Sequence, residues 1–134
     1  MQLPNGATVA VADGEKFNLF RNAGDEAGLK LEPLAHDPVD ANHQGATPGR
    51  HGSSANPDGG QDEEDGFSAG VVEILNKKVL SGGISALLII AAPRTLGAIR
   101  PQYHAKLTDI LAGEIAKDLT GHSLQDVEKA IAAA

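Results

Sequence analysis

A chain of 134 residues with 41% hydrophobic side chains and no cysteine can bury one core unaided, and it excludes disulfide staples and thiolate metal sites. Its formal net charge of −7 opposes a general coating role on DNA or RNA, whose phosphates repel an acidic surface. With three Phe, one Tyr and no Trp, the core must be built from Val, Ile, Leu and Ala, which suits a thin sheet covered by helices.

In chain order, Ala7 to Ala12 alternates and is partly β-branched, then stops at the turn signal Asp13-Gly14. Lys16 to Arg21 follows after a short connection, so the two runs predict a β-hairpin. Asn22 to Asp25 is the next turn, and Leu29 to Leu34 is a third strand that, by Pro33, sits at a sheet edge or ends there. From His36 to Asp65 periodicity disappears among glycines, prolines and acidic residues, which predicts a long loop that is functional, mobile or both. Phe67, Val71, Ile74, Leu75 and Lys78 then fall at helical spacing, with Asp62, Glu63, Glu64 and Asp65 suited to the positive end of the helix dipole. Ser81-Gly82-Gly83 ends that helix.

Ser85 to Ala91 is a continuous apolar run between Gly-Gly and Pro, as expected of a central strand buried on both faces. Pro93 is placed to open a helix through about Tyr103, shortened or bent by Gly97 and Pro101. Ile110 to Lys117 is ambiguous, helical by propensity and strand by position. Ser123 with Asp126 caps a final helix whose apolar face is Leu124, Val127 and Ile131. The expected organisation is one domain over 1–134, with a loop at about 36–65. Met1 to Gly6 carries no secretory pattern, and Ile84 to Ala92 is about half the length of a membrane helix. The expectation is a soluble cytoplasmic protein without a membrane role.

Three segments in this order carry a resemblance: Val9 to Gly14 with Asp13, Ala92 to Arg100 with Pro93, Leu96 and Gly97, and Lys117-Asp118-Leu119-Thr120. Together they resemble the bacterial family called "protein required for attachment to host cells", over about Ala7 to Ile131. The resemblance implies a ribonuclease-H-like α/β fold, that of the middle domain of archaeal and eukaryotic class-one release factors. It also makes Ile110 to Lys117 the fifth strand. The implied sheet is mixed and five-stranded, three meander strands followed by β-α-β-α.

Gly59-Gly60-Gln61 matches the Gly-Gly-Gln motif that release factors carry at a similar place. There, two glycines let the backbone approach RNA and the glutamine positions water at the peptidyl-tRNA ester. Against that role stand Asp58 and Asp62 to Asp65, whose charge opposes a phosphate lattice. On the folded body, Arg94, Arg100 and Lys106 surround the helix after the central strand and form a candidate anion site at a strand's carboxyl end. The alternative is a surface ion pair with Glu114 or Asp118. Asp13, Glu73, Glu114 and Asp118 raise a two-metal nuclease reading, set against turn and capping roles. His36, His43 and His51 match no metal-site spacing, and no metal or cofactor is expected. The leading expectation is a non-enzymatic module binding a ribosome or structured RNA, with no DNA partner. The alternatives are a peptidyl-tRNA ester hydrolase using Gly59, Gly60 and Gln61, and an interaction factor for host attachment.

Overall fold

The computed structural model describes residues 2–39 and 59–134, and for 59–65 the backbone alone. Strand β1 (Thr8–Ala12) is buried along its whole length. It pairs antiparallel with β2 (Phe17–Asn22) and parallel with β4 (Leu87–Ala91). β3 (Leu31–Leu34) lies antiparallel on β2, and β5 (Leu111–Ala116) parallel on β4. The order β3-β2-β1-β4-β5 makes one five-stranded mixed sheet, the ribonuclease-H-like arrangement. Pro33 sits opposite Phe20 on the edge strand β3, where its missing N–H costs no ladder bond.

Alternation along the strands divides the core into two layers. Ala10, Ala12, Phe17, Leu19, Leu87, Ile89 and Ala91 face helices α1 (Gly59–Leu80), α2 (Pro93–Ile99) and α3 (Ala105–Ile110). Val9, Val11, Leu88, Ile90 and Ile115 face α4 (Leu124–Ala133), which contributes Val127 and Ile131. Leu88, Ile89 and Ile90 are 0–1% exposed, each stabilising the fold by about 1.5–3 kcal/mol through burial.

α1 begins at Gly59, so residues 59–65 are helical and not part of the loop expected there. The acidic run Asp62 to Asp65 falls in its first two turns, where negative charge favours helix. The rest of the expected loop, with His43 and His51, lies mostly outside the described residues. α1 ends as Ser81-Gly82-Gly83 requires: Gly82 takes φ +82°, and the N–H groups of Gly82 and Gly83 return to the carbonyls of Val79 and Lys78. Because β3 and β4 run in the same direction, α1 must return antiparallel to them. Its amino end therefore projects on the side of the sheet where β1, β4 and β5 finish, and at about 33 Å the 22-residue helix extends past those strands of five or six residues.

The ambiguous stretch has a structural cause. α3 ends at Ile110 and β5 begins at Leu111 with no loop between them. α3 itself was not expected: the single helix predicted through Tyr103 is α2, then a 3-10 turn over Arg100–Gln102, then α3. Pro101 stops α2, and the His104 side chain restarts helix by accepting from the Lys106 N–H at 3.0 Å. Ser123 caps α4 as its sequence predicts, accepting from Asp126 N–H.

Asn22, fully buried, ties the meander to the chain's amino-terminal segment. Its Nδ2 donates to the carbonyls of Leu3 and Pro4 at 3.0 and 3.2 Å. Its Oδ1 accepts from Gly24 and Lys30 N–H at 2.9 and 3.1 Å.

Candidate functional site

The carboxyl edge of the parallel strands is where an open α/β sheet receives ligands, and the three segments distant in sequence converge there. Asp13 follows β1, Arg94 and Thr95 stand in the first turn of α2 after β4, and Asp118 follows β5. Together with Gly14, Glu15 and Ala92 they line one crevice. An adjoining shallow pocket is lined by Asp13, Lys16, Asp118, Thr120, Gly121 and His122.

The Asp13-Gly14 turn sets this corner. Asp13 Oδ1 accepts the N–H groups of Glu15 and Lys16, both at 2.6 Å. The Thr120 hydroxyl lies 2.7 Å from Asp13 Oδ2 and 2.8 Å from Asp118 Oδ1. It has one proton to share between two carboxylates, and so latches the end of β1 to the loop before α4. Burial pushes the Asp13 carboxyl up, but the Thr120 hydroxyl, the two N–H groups and the Lys16 charge together hold it below its ordinary value. Asp13 is therefore an anchored carboxylate whose lone pairs are largely occupied.

The other family-segment residues serve the same corner differently. Pro93 opens α2, Leu96 is buried in the core, and Lys117 is exposed beside Asp118. A Cβ added at Gly97 would meet nothing within 4 Å, so packing does not require that glycine.

The structure separates the three basic residues. Arg94 faces the crevice, whereas Arg100 and Lys106 lie beyond the far end of α2, about 10 Å along the helix at 1.5 Å per residue. Arg100 Nε donates to Glu114 Oε1 at 3.0 Å, one of the two ion pairs weighed from sequence. The Tyr103 hydroxyl donates to the other Glu114 oxygen at 2.6 Å. Burial, then the hydrogen bond to Glu114 and its charge, push the Tyr103 phenol well above its ordinary value.

Of the four carboxylates considered for metals, Asp13 and Asp118 meet, while Glu114 is held by Arg100 and Tyr103 and Glu73 lies on α1. Among the described residues no group of three or more His, Asp or Glu could hold a metal ion. His36 packs against Phe17 with ring centroids 4.6 Å apart. Its ring nitrogens face the carbonyls of Asp37 and Phe17. Gly59, Gly60 and Gln61 form the first turn of α1. No helix among the described residues is long and apolar enough to cross a membrane.

The mixed five-stranded sheet with helices on both faces defines an α/β domain of ribonuclease-H-like arrangement. The profile of the bacterial archaeo-eukaryotic release factor family 12 matches residues 6–131, and the chain belongs to that family. It is also similar to an uncharacterized protein of Rickettsia prowazekii (strain Madrid E), at 45% identity over 45 residues. That match covers 34% of this chain and 30% of the other protein.

Proposed function

We propose that this protein is a cytoplasmic, ribosome-associated binding module of the release-factor class. The observation that carries the reading is membership of a release-factor family over residues 6–131. The geometry supports it, because Asp13, Arg94 and Asp118 line one crevice at the carboxyl edge of the parallel strands. Arg94 is the anion contact at that edge. The attachment role implied by the host-attachment resemblance is then an indirect consequence of action in translation.

The placement of Gly59-Gly60-Gln61 favours a second reading, hydrolysis of a peptidyl-tRNA ester. The first turn of a long helix leaves its N–H groups without intrahelical partners, and such donors stabilise the oxyanion of ester cleavage. Water would attack the ester carbonyl, the bond to the tRNA ribose oxygen would break, and that oxygen would take the proton.

Cosedimentation of the purified protein with 70S ribosomes at low and moderate salt tests the first reading. Saturable binding is expected, and pelleting no greater than in a ribosome-free control would contradict it. Release of labelled peptide from peptidyl-tRNA on ribosomes, lost in Gln61→Ala, separates the hydrolase from the binding module.

A further inference from the structure

Charge is distributed very unevenly along this acidic chain. Of its 11 Lys and Arg residues, five (Lys77, Lys78, Arg94, Arg100 and Lys106) lie between Ile74 and Thr108, and none of its 18 Asp and Glu residues does. That segment comprises the last turns of α1, the buried strand β4, α2, the 3-10 turn and the start of α3. Since β4 is buried, all five cations belong to the helical layer on one side of the sheet. Asn76 holds the carboxyl end of α1 to the start of α3, donating to the Gln102 carbonyl at 3.2 Å and accepting from His104 N–H at 3.0 Å. Lys77 and Lys106 flank this junction, both exposed. Among the described residues, only Arg100 of the five has a side-chain ion pair. Asp37 and Glu73 line a pocket together with Lys77 and Lys78, and Asp109 lies one turn after Lys106 on α3. The carboxylates of this face therefore lie at its margins in sequence but close to its lysines in space.

We infer that the outer face of α1, α2 and α3, centred on Lys77, Lys78 and Lys106, is a docking surface for double-helical RNA. The inference rests on the ribosomal reading and deepens it by naming the face and the form of RNA. Two observations select the occupant. Protein interfaces are typically built around a cluster of apolar side chains, and this face offers a single large exposed one among the described residues, Leu80 at the end of α1. Binding of single strands relies on aromatic platforms for the bases, yet of the chain's four Phe and Tyr rings Phe17 is buried and Phe20, Phe67 and Tyr103 are half-buried. What remains is flexible lysine charge, which matches the closely spaced phosphates of a duplex and reads no sequence. The net charge of −7 then restricts contact to this one face.

The test is fluorescence anisotropy with an RNA hairpin whose stem is about 16 bp, a span typical of duplex-binding domains. A uridine homopolymer of equal length and a polyglutamate peptide are the comparison probes. Three proteins are measured: wild type, Lys77→Glu/Lys106→Glu, and a Lys30→Glu/Lys129→Glu control placed beside β3 and on α4. The wild type should prefer the hairpin to both other probes. Lys77→Glu/Lys106→Glu should lose roughly tenfold in affinity, with a salt slope smaller by about two, one for each phosphate contact removed. The control should change less than about twofold, and circular dichroism should show all three folded. Equal losses in both double variants, or tighter binding to the homopolymer or the peptide, would overturn the inference. So would full hairpin affinity in Lys77→Glu/Lys106→Glu, which leaves the ribosomal reading intact. Absence of wild-type binding to hairpin and ribosomes alike would sink that reading, and the docking surface with it.

Discussion

The turn-forming side chains of the meander and the basic side chains of the helical layer are used in opposite ways. In the meander, Asn22, Asp13 and Asp25 are consumed by the fold itself. Asn22 makes four hydrogen bonds, Asp13 caps a turn and meets Thr120, and Asp25 Oδ1 accepts from Ala27 and Gly28 N–H. In α1 to α3, Lys77, Lys78, Arg94 and Lys106 point no described bond at the fold. The difference distinguishes residues kept for structure from residues left over for a partner. A polar group whose valences are satisfied inside the molecule has little left to offer a ligand.

This contrast predicts large stability effects in the meander and almost none on the helical face. Asn22→Ala removes four hydrogen bonds and leaves the Leu3 carbonyl and the Gly24 and Lys30 N–H groups without this partner, while the Pro4 carbonyl keeps the Ala7 N–H. It should cost about 2–3 kcal/mol in urea unfolding. Gly24→Ala comes next, since its Cβ would overlap the Gly28 carbonyl. A loss above about 2 kcal/mol is expected unless the turn rebuilds, and an unchanged melting temperature would show that it does. Asp13→Ala should cost about 1–2 kcal/mol by freeing two turn N–H groups and Thr120. Because the folded Asp13 carboxyl lies below its ordinary 3.8, its stabilisation is complete above that value and is lost as pH falls through the lower folded one. Asp13→Asn should therefore flatten the acid limb of the stability profile below about pH 4.

Tyr103→Phe is the smallest of these, about 1 kcal/mol for one hydrogen bond to a carboxylate that keeps Arg100. The raised phenol value has an alkaline consequence. Its contribution is complete below the ordinary value of 10.0 and declines as pH rises past it, because the unfolded chain then ionises first. Titration of the wild type by tyrosinate absorbance should show no ionisation at pH 10 while the fold persists, and a normal titration would contradict the Tyr103–Glu114 contact.

Strand identity was readable because period-two alternation and turn chemistry agree: Asp13-Gly14 closes the hairpin, Pro33 marks an edge and Ser123 caps α4. α3 was not readable, since a His cap following Pro101 is an uncommon signal and Ile110-Leu111 joins helix to strand without punctuation. The start of α1 was misjudged because Gly59 and Gly60 weigh against helix locally, while the acidic run behind them favours it. At the candidate site, Asp13, Arg94 and Asp118 could be picked from sequence, but not the Thr120 latch, which joins residues more than a hundred positions apart. Arg100 and Lys106 were grouped with Arg94 by proximity in sequence, whereas α2 holds them at its opposite end. The acid-free stretch from Ile74 to Thr108 was open to a count of charge by segment, a signal that the overall charge of the chain conceals.

The most direct test of the division between structural and ligand-facing polar groups is lysine acetylation followed by mass spectrometry, with and without 70S ribosomes. Lys77, Lys78 and Lys106 should be protected by ribosomes, while Lys30 and Lys129, near β3 and on α4, react at unchanged rates. Protection confined to Lys30 and Lys129, or the same rates with and without ribosomes at every lysine, would contradict the account.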